Sequence, residues 1–211
     1  MSLESNMKNG LLYQEYNHKS KVDQDYEKII EVQRIRCKDL VFNFNNTIPS
    51  DNEKRNEILK KIFKSLGSNC FFEGPINASY GCNTHIGDRV YANFNLSLID
   101  DVEIHIGNDV MMAPNVTICT TGHPIYAKYR KNGVQFSLPV HIGNDVWIGA
   151  GVIVLPGVKI GDNCVIGAGS VVTKDIPANS LAYGAPCIVK REINDHDKEY
   201  YYKDRKVNFD W

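Results

Sequence analysis

The chain has 211 residues, 43% of them hydrophobic, with 24 basic against 25 acidic side chains and a formal net charge of −1. That length accommodates one principal domain with accessory pieces, and the apolar content is enough for a real core. The near-neutral balance gives no support to nucleic acid or an acidic membrane surface as the principal partner.

The start carries no charged-then-apolar signal segment, and no apolar run is long enough to span a bilayer, so a cytoplasmic location is expected. Cys37, Cys70, Cys82, Cys119, Cys164 and Cys187 form no CxxC pair and no regular spacing. They read as reduced thiols, a disulfide framework being the alternative for a secreted protein.

The first ten residues are polar and are expected to be poorly ordered. Between Asp25 and Asn43, the apolar residues Tyr26, Ile29, Ile30, Cys37, Leu40 and Val41 fall roughly on one side of a helix. A second helix is signalled by a capping box of Ser50 with Glu53, a stripe of Ile58, Leu59, Ile62, Phe63 and Leu66, and a stop at Gly67. Both stripes read as surfaces that pack against the rest of the protein.

From Tyr80 onward a different period takes over. Ile142, Ile148, Val154, Ile160, Ile166 and Val172 recur at every sixth position. Gly143, Gly149, Gly161 and Gly167 follow them, and Val146, Val152, Val158, Cys164 and Ser170 fill the fifth position, with bulkier Ile176 ending the series. A period of six suits neither a helix nor a simple alternating strand, but it suits stacked coils of short strands with a sharp turn after each. The aliphatic residue points inward and the small fifth residue fills the corner. The competing interpretation, ordinary buried strands with glycine turns, does not explain six hexads in phase.

Ahead of this run, Ile106, Met112 and Ile118 share its phase, whereas Ile86 is two residues out of step with Ile106, which implies a bulged coil. Between Ile118 and Ile142 the pattern breaks from Thr120 to Pro139. That segment reads as a long loop thrown out from one corner, and a loop of this length in a compact domain usually has a task.

The hexads resemble those of the left-handed parallel β-helix of hexapeptide-repeat acyltransferases. The handedness comes from the resemblance, since parallel crossovers are otherwise almost always right-handed. More specific runs are Ser79-Tyr80-Gly81, Tyr91 to Leu96, Asp100-Asp101, Ala113 to Thr117, Thr121-Gly122-His123-Pro124 and Arg130-Lys131-Asn132-Gly133. With Met7 to Gly10, Leu12 and Tyr13 at the start and Arg191 to Asp195 at the end, they resemble the galactoside O-acetyltransferases. The resemblance implies an all-β, left-handed parallel β-helix over residues 69–190, with an inserted loop at about 120–139. A small N-terminal α-helical cap occupies 1–68 and a C-terminal tail 191–211.

It also implies an acetyl-CoA-dependent enzyme that acetylates the 6-hydroxyl of a galactoside or related pyranoside. The active site would lie between subunits of a homotrimer, with His123 of one chain facing the acceptor contacts of another. His123 takes the place of the general base, a role suited to an imidazole near neutral pH. Asn93 matches the amide at the reacting acetyl group, where it can steady negative charge on the thioester oxygen. A corner asparagine tolerating a left-handed backbone is its bland alternative. Ser79 and Asp101 match acceptor contacts, with Glu15 as the favoured third contact and Asp25 as the fallback.

For acetyl-CoA the matching positions are Asn93, Ala150, Ala168, Thr173, Lys174 and Arg191, the last two beside the nucleotide phosphates. Ile188 stands where the family often has a basic residue, which shifts phosphate binding toward Lys190 and Arg191. Trp147 should point outward at a subunit or cofactor contact. Other open readings are acetylation of maltose, glucose or an antibiotic hydroxyl, a non-catalytic trimeric scaffold, and a zinc carbonic-anhydrase-like protein using His85, His105 and His141. No metal is expected, because a histidine file on a β-helix exterior is more often simply solvated.

Overall fold

A computed structural model describes residues 1–209, so Asp210 and Trp211 of the expected tail lie outside the described residues. Among the described residues, short strands from successive turns pair in parallel to build three faces. The first face holds Ser65–Leu66, Thr84–Ile86, Ile104–Ile106, Val140–Ile142 and Lys159–Ile160. The second holds Phe71–Phe72, Tyr91–Ala92, Met111–Met112, Trp147–Ile148, Val165–Ile166 and Ser180–Tyr183, closed by antiparallel Ile188–Glu192. The third holds Ile76–Ala78, Leu96–Ile99, Thr117–Cys119, Ile153–Val154 and Val171–Val172. A parallel β-helix is therefore the architecture, as the hexads imply.

In the regular part His141 pairs with Lys159 and Trp147 with Val165, which is three hexads per turn. Every hexad aliphatic from Ile142 to Val172 is buried, and so are Val146, Val152, Val158, Cys164 and Ser170 at the corners. Gly107 stands in a glycine column, where an added Cβ would come within 2.6 Å of the Gly143 carbonyl oxygen. The inward residues of all coils belong to one continuous apolar core.

The front coils are longer. His85 pairs with His105, and the two extra residues fall at the corner between the third and first faces, where both Ile104 and Ile106 point inward. The bulge signalled by the slip at Ile86 and Ile106 is thus a widened corner, and it opens room for side chains that a hexad corner cannot hold.

Four expectations about the cap need correction. The first ten residues are not poorly ordered, because α1 (Leu3–Lys8) forms and buries Leu3 and Met7. Helix α2 runs over Lys21–Asn45, further at both ends than expected, with Ser20 capping it and Ile30, Cys37 and Phe44 buried at seven-residue spacing. The cap of α3 (Asn52–Ile62) is Asp51 rather than Ser50, its carboxylate accepting from the Lys54 amide at 3.1 Å. Gly67 does not end this helix. The Lys64 amide donates to the Thr84 carbonyl, so the ladder with the next coil takes over the backbone before Gly67 is reached.

The cap also covers an open sheet edge. The Asn45 side chain donates to the Ile76 carbonyl at 2.9 Å and accepts from the Ile76 amide at 2.8 Å, doing for the edge strand what another coil would do. Among the described residues no helix is long and apolar enough to cross a membrane.

Deleting one inward aliphatic should weaken the whole stack. We expect Ile148→Ala, at a fully buried position, to lower unfolding free energy by about 2–5 kcal/mol in denaturant titrations. Lys159→Ala, facing outward, should change it by less than about 0.5 kcal/mol.

Candidate active site

The widened corner stacks Tyr80-Gly81, Asp100-Asp101 and Thr120-Thr121 from successive coils, with Ser79 just before it at the end of the third-face ladder. Asp100 is a structural pin. Its fully buried carboxylate accepts from the Tyr80 amide at 2.8 Å and the Thr84 hydroxyl at 2.9 Å. Burial pushes its pKa up to about 6, against the pull of those hydrogen bonds.

Asp101 is also buried, which raises its pKa, while a hydrogen bond from the Thr121 side chain opposes the rise. Glu15 arrives from the cap and is equally buried. Its carboxylate accepts from Arg34 at 2.6 Å, the Tyr80 hydroxyl at 2.9 Å and Gln135 at 3.2 Å. Arg34 also donates to the hydroxyls of Tyr16 and Tyr80.

From Glu15 a run of hydrogen bonds continues to Asp101. Gln135 donates to the Tyr13 hydroxyl at 2.9 Å, Tyr13 pairs with the Ser137 hydroxyl at 2.6 Å, and Ser137 pairs with Thr121 at 2.9 Å. Burial pushes the Tyr13 phenol up to about 12, so it remains a neutral hydroxyl. The two carboxylates thus belong to one network supplied by the cap, the bulged coils and the inserted segment. Asp101, but not Glu15, lines a cleft of about 550 Å³, together with Tyr80, Asn83 and Glu103 on the β-helix side and Met7, Tyr26 and Gln33 on the cap side.

The inserted segment is a built hairpin. Thr121–Gly122 pairs antiparallel with Phe136–Ser137, and a short helix α4 (Ala127–Lys131) forms its tip. Tyr13 and Gln135 exchange both backbone hydrogen bonds at 2.9 Å, which docks the cap onto it. His123 is exposed on this hairpin, with Nδ1 at 2.9 Å from the Val134 carbonyl oxygen. A carbonyl only accepts, so Nδ1 carries the proton and Nε2 keeps its lone pair. Nearby Cys119 donates its thiol to the Thr121 carbonyl, and burial raises its pKa.

Another corner, between the second and third faces, carries Asn93, Ala150 and Ala168. The Asn93 side-chain oxygen accepts from the Phe94 amide at 2.8 Å, which leaves its NH₂ to donate elsewhere. The left-handed backbone belongs instead to Asn95, at φ +60°, in a file continued by Asn115, Gly151 and Gly169. The corner-turn account of Asn93 is therefore overturned. Ala150 and Ala168 are exposed neighbours in adjacent coils, tied by a hydrogen bond from the Gly169 amide to the Ala150 carbonyl.

Thr173 and Lys174 are exposed after the last third-face strand. Arg191 is committed to Asp197 through two hydrogen bonds of 2.7 and 2.6 Å, and this pairing holds the Asp197 carboxyl down at about 2. Lys190 lies over the Tyr183 ring, and Ile188 is exposed.

The structure therefore gathers Glu15 and Asp101, with Ser79 at the edge of the same corner, and keeps Asn93, Ala150 and Ala168 on a different one. Asp25 does not join either group, since it is exposed on α2 and paired with Lys21. Trp147 is 54% exposed, pointing outward as expected. Sequence reasoning missed Arg34, Tyr13, Gln135, Ser137 and Thr121 as members of the network. Tyr80 had a signal in the bulge that surrounds it, but Arg34 sits in an ordinary helical stretch with none.

Known proteins extend this picture. Residues 139–174 match the family described as bacterial transferase hexapeptide (six repeats), and residues 6–67 match the maltose acetyltransferase hexapeptide capping motif. A solved galactoside acetyltransferase in complex with coenzyme A superposes with a TM-score of 0.90 at 47% identity, covering 99% of this chain and 100% of that one. A maltose O-acetyltransferase from Clostridium difficile 630 superposes at 0.84 with 43% identity, covering 92% and 99%. The fold and its cap thus define a hexapeptide-repeat transferase built on a left-handed β-helix.

Sequence identity narrows the class. The galactoside O-acetyltransferase of Escherichia coli (strain K12) is 55% identical over 175 residues, 83% of this chain and 86% of that one. That of Lactococcus lactis subsp. lactis (strain IL1403) is 52% identical over 172 residues, 81% and 83% of the two chains. The chain belongs to the galactoside O-acetyltransferase family of hexapeptide-repeat sugar acetyltransferases.

The raised Asp100 carboxyl has a consequence for stability. Between its ordinary value of 3.8 and about 6 the folded state binds more protons than the unfolded state. Its contribution is present below 3.8 and lost as pH rises through about 6. We expect the stability of the wild type relative to Asp100→Asn to fall across that window and level off above it, as read by urea unfolding at a series of pH values.

Proposed function

We propose that this protein transfers the acetyl group of acetyl-CoA to the 6-hydroxyl of a galactoside or a related pyranoside. The observation that carries the proposal is the hydrogen-bonded network joining Glu15 to Asp101 beside a cleft, with an oriented imidazole on the adjoining hairpin. Glu15, Asp101 and Ser79 are assigned to the acceptor, whose hydroxyls donate to the carboxylates. Arg34 and Tyr80 hold Glu15 in place.

His123 is assigned as general base. The acceptor oxygen bonds to the thioester carbon while its proton passes to Nε2; the tetrahedral centre then collapses and the C–S bond breaks. The departing sulfur recovers that proton, giving an acetyl ester and free CoA thiol. The Asn93 NH₂ is assigned to the negative charge that forms on the thioester oxygen. Direct transfer is favoured over an acetyl-enzyme on Cys119, because burial keeps that thiol protonated and so poorly nucleophilic.

For the donor, Ala150 and Ala168 are small, exposed and stacked, which suits a linear pantetheine arm lying along the corner. Thr173 and Lys174 lie toward its nucleotide end. The pairing of Arg191 with Asp197 offsets its charge, so Lys174 and Lys190 take a larger share of the phosphates, all the more with Ile188 in place of a basic residue. A coenzyme A complex of the related galactoside acetyltransferase supports this donor.

Assembly as a homotrimer is supported by the second face. Its outward file reads Phe71, Tyr91, Met111, Trp147, Val165 and Leu181 in register, with Met111 and Trp147 each 54% exposed. A continuous apolar file of this kind favours a covering partner, and a second copy supplies one. Thr121 bonds Asp101 and lies two residues before His123, which supports a reading with base and acceptor contacts on one chain. The complement from the neighbour is then the donor corner with Asn93. The arrangement that the resemblance implies, His123 of one chain facing the acceptor contacts of another, is the alternative. The six free thiols are in keeping with a reducing compartment, and the cytoplasm is the proposed location.

An acceptor panel tests the activity. With acetyl-CoA and thiol release as the readout, galactosides should give a higher kcat/KM than maltose, glucose or chloramphenicol; failure to acetylate any sugar would refute the proposal. His123→Ala should lower the rate by about 10²–10⁴-fold with little change in acetyl-CoA affinity. Asp101→Ala should raise the acceptor KM while the acetyl-CoA KM stays nearly constant.

A further inference from the structure

The first face carries a side-chain cluster to which the proposed acetyl transfer assigns no role. Its outward residues stand in register, His85 beside His105 and His105 beside His141, with ring centroids 4.6 and 4.8 Å apart. The parallel ladder imposes that spacing, since neighbouring strands lie about 4.7–4.9 Å apart. Glu103, at the end of the widened corner, reaches back between two of the rings. One carboxylate oxygen lies 2.9 Å from His105 Nε2 and the other 4.0 Å from His85 Nε2. The donor atoms of His85, Glu103 and His105 all lie within 4.8 Å of one another.

We infer that His85, Glu103 and His105 form a binding site for a divalent transition-metal ion of the zinc class on the first face, with Glu103 also bordering the cleft beside Asp101. Two imidazoles and a carboxylate suit such an ion, whereas calcium and magnesium prefer all-oxygen donors. Zinc–nitrogen and zinc–oxygen bonds of about 2.0–2.2 Å in tetrahedral array put donors roughly 3.3 Å apart. The widest pair must therefore close by roughly 1.5 Å. The backbone ladder fixes the strands, and the partly exposed side chains supply this closure by turning about their own bonds. The rings leave their stack in doing so, because a lone pair lies in the ring plane and parallel rings cannot both aim at one ion.

A second observation marks His85 as a ligand. The Ser65 hydroxyl oxygen lies 3.3 Å from its Nδ1. In the tautomer where the hydroxyl accepts from Nδ1, Nε2 is left free on the side of Glu103, the kind of outer contact that orients metal-bound histidines. The far end of the file lacks these features. The residue two before His141 is Pro139, where Glu103 stands in the previous coil, and the neighbour in register is Lys159; at His85 a lysine, Lys64, also acts, but there Glu103 outweighs it. The site is thus neither the three-histidine set considered from sequence nor a hydratase centre. Three protein donors leave the remaining positions to water.

Equilibrium dialysis of the untagged full-length protein against Zn²⁺, with elemental analysis, tests the assignment. We expect about one zinc per chain, with Glu103→Gln and His105→Ala each weakening binding by more than about tenfold. His141→Ala should leave binding within about twofold. Zinc should also raise the Tm of the wild type and not that of the two weakened variants, whose metal-free Tm reports that they are folded. No stoichiometric binding, binding unchanged in Glu103→Gln and His105→Ala, or a loss in His141→Ala as large as in His105→Ala would each overturn the inference.

Discussion

The stacking of coils at one strand spacing is the constraint on which everything else in this protein depends. Each turn must deliver an aliphatic residue into the core above and below it, and each corner must admit either a small residue or a left-handed backbone. Ile142 to Val172 satisfy this without interruption and bury completely. A coil has no stability of its own, so the core is continuous from the cap to the closing strand Ile188–Glu192.

Function enters where that constraint is relaxed. Two extra residues in the front coils widen one corner, and this brings Tyr80, Asp100 and Asp101 into the interior of the corner rather than leaving them on a solvated turn. The same corner releases the hairpin that carries His123, and the cap returns over it with Tyr13 and Glu15. Burying two carboxylates side by side is unfavourable unless each is hydrogen-bonded. Arg34, Tyr80, Gln135 and Thr121 provide those bonds, and in doing so they fix the geometry of the two carboxylates proposed to meet the acceptor. Asp100 lies deeper and locks the bulge through Tyr80 and Thr84.

The repeat was legible from sequence because a period of six has few alternatives, and the bulge was legible as a break in phase. The inserted hairpin was legible as a break in the pattern, although its pairing of Thr121 with Ser137 was not, since two residues per strand leave no periodic trace. Helix α1 was missed because Leu3 and Met7 are its only buried residues, too few to show as a stripe. The α3 cap was displaced by one residue because Ser50 and Asp51 are both good caps, and local spacing does not choose between them. Arg34 and Gln135 could not be found from sequence, since their partners lie 19 and 120 residues away.

The central claim is that acceptor and donor halves stand on different corners of one chain and are joined only when a second copy completes the site. Co-expression of His123→Ala with Asn93→Ala, followed by isolation of mixed oligomers through two different tags, tests it most directly. Each parent lacks one half of every site, whereas a mixed assembly contains some interfaces with His123 from one chain and Asn93 from its neighbour. The account predicts acetyl transfer at least about tenfold above either parent. Mixed oligomers no more active than the parents would contradict it.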